Sequence, residues 1–185
     1  MINDILNEAD GKMDKSVEAT REEFSAIRAG RANPAMFSKI MVDYYGTPTP
    51  IQQLASFTSS EARIILVSPY DMGALAAIEK AIRDSDLGVN PSNDGKSIRC
   101  VFPELTEERR KEYIKIAKAK AEDGRVSVRN IRRNAKQDLE KLEKDGEVGK
   151  DDVTGAEKRL DGLTKKHTDE IDEMLKNKEA ELLEV

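Results

Sequence analysis

Apolar positions recur every three or four residues at the start of the chain: Leu6, Ala9, Met13, Val17, Phe24 and Ile27. Thr20 fills the slot between Val17 and Phe24. It is polar but carries a methyl group, so the stripe is weakened there and not broken. This spacing predicts one face of an amphipathic helix. Gly30 is its natural stop, because glycine accepts the left-handed turn past a helix end. The pattern returns at Ile114, Ala117, Ala121, Val128, Ile131, Ala135, Leu139 and Leu142. Pro103 blocks an earlier start, Thr106 can cap, and Glu107 and Glu108 favour the positive helix end. "KDGEVGKDD" then interrupts, with Gly146 and Gly149 supplying a turn and Asp151 or Asp152 the next cap. A third stripe carries Val153, Ala156, Leu160, Leu163, Ile171, Met174, Leu175 and Leu182. No one-sided helix buries its stripe alone, and a bundle solves that for all three. At ~1.5 Å per residue, a middle helix of roughly 40 residues is about 60 Å long. The bundle is therefore elongated.

Between the first and second stripes the periodicity changes. "FSKIMVDYYG", "ARIILVSP" and "SIRCVFP" are short β-branched and aromatic runs that read as strands. "GTPTP" reads as a turn or loop. "YDMGALAAIEKAIRDSDLG" reads as a helix, with Asp71 as its cap and Gly88 beyond its end. Composition sharpens the border: all six prolines lie between residues 34 and 103. The fold class is therefore α+β: an elongated three-helix bundle (1–30 plus 104–185) with a small inserted β/α/β domain (31–103). The chain crosses between them twice, near 30–33 and 103–106. Both crossings are short and bordered by proline, which predicts a two-strand hinge of Gly30, Arg31, Ala32, Asn33, Pro103, Glu104, Leu105 and Thr106.

Charge adds a feature that periodicity does not. The chain is acidic, with 31 Lys+Arg against 36 Asp+Glu. Yet "RVSVRNIRRNAK" (125–136) holds Arg125, Arg129, Arg132, Arg133 and Lys136 and no acid. At about 100° per residue these five cations fall within one stripe roughly 100° wide, beside the apolar arc of residues 128, 131, 135 and 139. The expectation is one exposed ridge whose like charges have no partners within it. Arginine's planar fork suits phosphate, so the ridge points to a polyanion. No aromatic residue is interleaved, which disfavours stacking on single-strand bases. A folded or double-stranded nucleic-acid backbone read by shape is the fitting target.

Other chemistry is sparse. A lone Cys100 and a lone His167 cannot assemble a metal site together, so neither a metal nor a cofactor is expected. Cys100 lies in a strand run and is expected to be buried and inert. His167 takes a core-adjacent helical slot. No convergent catalytic set and no phosphate-cradling loop is present, so the chain does not read as an enzyme. Tyr44 and Tyr45 fit strand packing beside an ordinary turn. No apolar run approaches the roughly 20 residues that span a bilayer, and the N-terminus lacks a signal-peptide core. No membrane association and a cytoplasmic location are expected.

Several of these segments are similar, in order and over essentially the whole chain, to the bacterial ribosome recycling factor family: "RAGRANP", "DYYGTPTPIQQLAS", "SDLGVNP", "LTEERRKEY", "VSVRNIRRNAK" and the tail "KEAELLEV". The resemblance implies a three-helix bundle joined at a hinge to a β/α/β domain, L-shaped overall, roughly like tRNA. It implies a monomeric translation factor that binds the post-termination ribosome with its long domain across the A and P sites of the large subunit. Elongation factor G, bound to GTP, then drives subunit splitting and release of mRNA and deacylated tRNA. It further implies large-subunit rRNA contacts by Arg129, Arg132 and Arg133, and by Arg28, Gly30 and Arg31 near the first crossing. Arg125 and Lys136 join them as members of the same stripe. Gly124 departs from the family pattern, which usually has a good helix former there; glycine costs about 1 kcal/mol relative to alanine. Gly155 and Gly162 weaken the third helix in the same way. The alternative reading is a coiled-coil scaffold or adaptor whose basic face is merely solvated.

Overall fold

The computed structural model describes residues 1–184. Its elements run α1 (Ile2–Ser25), β1 (Met41–Tyr44), β2 (Thr47–Pro50), β3 (Ala55–Glu61), β4 (Ile64–Pro69), α2 (Leu75–Arg83), β5 (Asn90–Asn93), β6 (Ile98–Val101), α3 (Glu107–Lys144) and α4 (Lys150–Leu183). The chain forms two compact units. One joins Met1–Phe24 to Lys115–Glu179, and the other holds Ser25–Ile114 with the residues from Ala180 onward.

The first unit is a three-helix bundle. Leu6, Ala9, Met13, Val17 and Phe24 of α1 face Ala117, Ala121, Val128, Ala135 and Leu139 of α3 and Val153, Ala156, Leu160 and Ile171 of α4, all buried. Full burial of one large aliphatic side chain contributes about 1.5–3 kcal/mol. Thr20 is buried too, at 4% exposure, and its hydroxyl donates to the Ser16 carbonyl at 2.9 Å. The reason lies opposite: a Cβ on Gly124 would press into Thr20 Oγ1 and sit 3.1 Å from Ile171 Cδ1. Gly124 is thus a point of close helix approach and not a soft spot in α3. Gly155 and Gly162, by contrast, face open space.

Helix ends follow local chemistry. Thr106 caps α3, accepting from the Arg109 amide at 3.1 Å. At the other end Gly146 has φ 74°, the Gly146 amide donates to Glu143 O and the Glu147 amide to Leu142 O, both at 3.0 Å. That is the double reverse bond of a Schellman stop. Two expectations are corrected. Asp151 and Asp152 lie inside the first turn of α4 and do not cap it, although they still favour its positive end. Gly30 does not stop α1, which ends at Ser25. Ile27, Arg28 and Ala29 are all buried beyond the helix end, so the chain leaves the helical path early to enter the second unit.

The second unit is an antiparallel sheet of order β3-β4-β6-β5 with a separate β1-β2 hairpin and one helix. Phe37, Val42, Ile51, Ile65, Val67, Ile78, Ile82, Ile98, Cys100 and Phe102 fill its core. Phe37 meets Phe57 at 5.1 Å and Phe102 at 6.0 Å between ring centroids. "GTPTP" is not merely a turn: Thr47–Pro50 is β2, registered Met41↔Pro50 to Tyr44↔Thr47. Its prolines are tolerated because each strand of this two-stranded ribbon has a free edge. Tyr45 and Gly46, at φ 49° and 85°, form the tight two-residue turn that such a hairpin requires. Asp71 does not cap α2, which starts at Leu75 after Ala74 with no side-chain cap; it caps the 3-10 turn Met72–Ala74 just before it, accepting from the Gly73 amide at 2.8 Å.

The unit boundaries fall on the helices, at 24/25, 114/115 and 179/180, and not at the expected crossings. Both crossings are tied into the sheet unit. The Ala32 amide donates to Ala62 O and the Phe102 amide to Arg63 O, each at 2.7 Å. Ala32 and Leu105 are buried as well.

Candidate nucleic-acid interface

The basic stripe on α3 is graded across its width. Its inner edge borders the buried arc of Val128, Ala135 and Leu139, so Arg125, Arg132 and Lys136 are half-buried while Arg129 and Arg133 are exposed. The side chain of Arg125 is only 20% accessible, against 53% for Arg129.

The run itself holds no acid, but three of its cations find acidic partners outside it. Arg125 donates to Asp172 Oδ1 of α4 at 2.7 Å and to Glu122 Oε2 at 3.0 Å. Arg129 donates to Glu122 Oε1 at 3.0 Å, and Arg132 to Asp161 Oδ1 of α4 at 2.7 Å. Packing brings Asp161 and Asp172 from the neighbouring helix. Glu122 was closer to hand: three residues before Arg125, it lies on the same stripe just outside the quoted run. Hydrogen bonds from Arg125 and then Arg129 hold its carboxyl below the ordinary range. Arg133 and Lys136 make no ion pair among the described residues. The stripe therefore has Arg125, Arg129 and Arg132 paired with carboxylates, and Arg133 and Lys136 without an ion pair among the described residues.

The residues near the first crossing divide. Arg31 is exposed and unpaired among the described residues. Arg28 is not a free cation. It is 6% exposed, its guanidinium lies 5.4 Å from the Phe102 ring centroid, and it donates to the Pro103 carbonyl. Burial pushes its pKa down. Arg28 clasps the two crossings together, because Pro103 and Phe102 lie on the second. Asn33 caps the 3-10 turn Pro34–Phe37, accepting from the Ala35 amide at 2.9 Å. Pro103 and Glu104 are exposed.

Outside the stripe, burial pushes the Cys100 thiol up to about 12, which makes it inert. His167 is fully buried and faces Asp14 and Asp10 of α1. Tyr44 donates to Asp71 Oδ2 at 2.9 Å. No helix among the described residues is long and apolar enough to cross a membrane.

Comparison with known proteins places this geometry in a family. A family model described as ribosome recycling factor matches residues 20–183. A ribosome-recycling factor from Nocardioides sp. is 83% identical over 185 residues, covering all of both chains. One from Acidothermus cellulolyticus is 66% identical over the same span. A solution structure of a ribosome recycling factor superposes with TM-score 0.76 at 40% identity, over 100% of this chain and 98% of that one. A structural model of the T. thermophilus factor, described with E. coli elongation factor G bound to the E. coli post-termination complex, superposes with TM-score 0.69 at 40% identity over the full length of both.

Proposed function

The chain belongs to the ribosome recycling factor family, and from that premise we propose that it lays the exposed outer row of its α3 stripe, Arg129 and Arg133, on large-subunit rRNA after termination. The observation that carries this reading is the unpaired, solvent-facing Arg133 beside an exposed Arg129 and a half-buried Lys136. An arginine fork matches two phosphate oxygens at once. Arg129 exchanges its Glu122 partner for a phosphate on docking. The inner pairs, Arg125–Asp172 and Arg132–Asp161, hold α3 against α4 so that the outer row stays aligned.

A relative that sits on a post-termination complex with elongation factor G supports the same partner here. In this reading elongation factor G with GTP acts on the sheet unit, and the subunits separate, releasing mRNA and tRNA. The hinge of this reading, between the arms 1–30 plus 104–185 and 31–103, takes in the crossings at 30–33 and 103–106 together with the segments 25–29 and 107–114 that separate them from the unit boundaries, and Arg28 ties the crossings to each other. The chain hydrolyses nothing itself, acts as a monomer in the cytoplasm, and leaves nucleotide turnover to elongation factor G. Family membership removes the ground for the scaffold reading.

The test is dissociation of purified post-termination ribosomes, followed by light scattering. Splitting that requires this chain, elongation factor G and GTP together is expected. Ribosomes that stay intact with all three present overturn the proposal.

A further inference from the structure

We propose that His167, Asp10 and Asp14 form a site for one divalent transition-metal ion of the zinc class, bridging α1 and α4. The His167 side chain is fully buried, and its Nδ1 lies 2.7 Å from the Leu163 carbonyl. A carbonyl only accepts, so Nδ1 carries the hydrogen and the ring is fixed with Nε2 toward α1. Ligand histidines are oriented in this way, by a hydrogen bond from the other ring nitrogen. Nε2 stands 2.7 Å from Asp14 Oδ1 and 3.3 Å from Asp10 Oδ1. The three donor atoms lie within 4.8 Å of one another.

A second observation separates this cluster from an ordinary surface pair. Asp10 Oδ1 is a buried atom of a side chain that is 38% exposed; it makes no hydrogen bond and has His167 Nε2 as its ion-pair neighbour at 3.3 Å, so an ion between the two would supply the contact the oxygen lacks. Bonds of about 2.0–2.1 Å in a tetrahedral zinc site put neighbouring donors about 3.3 Å apart. The His167–Asp10 spacing already matches. The Asp14 side chain, 60% exposed, is free to withdraw by about half an ångström to reach that spacing and leaves the entry path on its own side. A nitrogen donor among only two carboxylates favours zinc-like ions over magnesium or calcium. Binding displaces any proton on Nε2 and staples the two helices.

The experiment uses the full chain freed of metal. Zinc chloride titration by calorimetry is expected to give one ion per chain and a saturating rise in melting temperature. Cobalt(II) is expected to develop visible d–d absorption, and millimolar magnesium to do neither. Asp10→Asn should weaken zinc binding at least tenfold, with the rise in melting temperature read against the variant's own metal-free melt. His167→Gln should abolish the cobalt absorption; should it fail to fold, Asp14→Asn serves as the second ligand variant. No stoichiometric zinc binding, or equal affinity in Asp10→Asn, overturns the proposal.

Discussion

Gly124 and Thr20 show how two residues that look like local faults can be one device. A methyl at 124 gains about 1 kcal/mol of helix propensity but is forced into a buried, β-branched side chain already bonded to its own helix. Overpacking of this kind costs about 1–3 kcal/mol, so Gly124→Ala should destabilise the bundle on balance. Adding Thr20→Ala removes the obstruction. The double variant should be more stable than Gly124→Ala alone, with a coupling of at least about 0.5 kcal/mol by urea denaturation. Glu122 is the second residue to test. Glu122→Gln removes the charge that occupies Arg129, so affinity for large subunits should rise and the salt dependence steepen by up to roughly 0.7–0.9 in log–log slope. Asp71 supplies a pH test. The Gly73 amide, and then the Tyr44 hydroxyl, hold its carboxyl below the ordinary range. A lowered folded-state pKa stabilises above the unfolded value of about 3.9 and is lost as pH falls through the folded one. Asp71→Asn should therefore flatten the acid limb of the stability curve below about pH 4.

At the scale of elements, the long helices were legible because each needed only its own period. Most of their stripe positions are buried, with Ile114, Ile131, Leu142, Leu163, Met174 and Leu175 half-buried, and Thr106 and Gly146 do the capping and stopping that their chemistry suggests. The sheet was only partly legible. β4 and β6 show as apolar runs because both face a covered core. β2 carries two prolines, and β3 and β5 are rich in Ser, Thr and Asn; tertiary pairing, not intrinsic preference, makes them strands. Gly30 misled because a helix can end where its next residues are drawn into another core. The open-space glycines of α4 permit a clean test: Gly155→Ala and Gly162→Ala should each raise stability by about 0.5–1 kcal/mol, read as a shift in the urea midpoint.

At the scale of the whole molecule, the basic stripe was legible as a run of charges, but which of them carry carboxylate partners was not. Which cations are neutralised depends on Glu122 of α3 itself and on Asp161 and Asp172, which reach α3 only through the packing of α4. The His167 cluster was hidden for the same reason, since its carboxylates lie more than 150 residues away in sequence. In the proposed function, labour on one helix face is divided between cations paired across to α4 and cations offered to RNA. Binding to isolated large ribosomal subunits across a salt series tests that division most directly. Arg129→Ala and Arg133→Ala should each weaken binding and make the slope shallower by roughly 0.7–0.9. Affinity and slope both unchanged, with the helices still folded by circular dichroism, would contradict it and leave the stripe a solvated face.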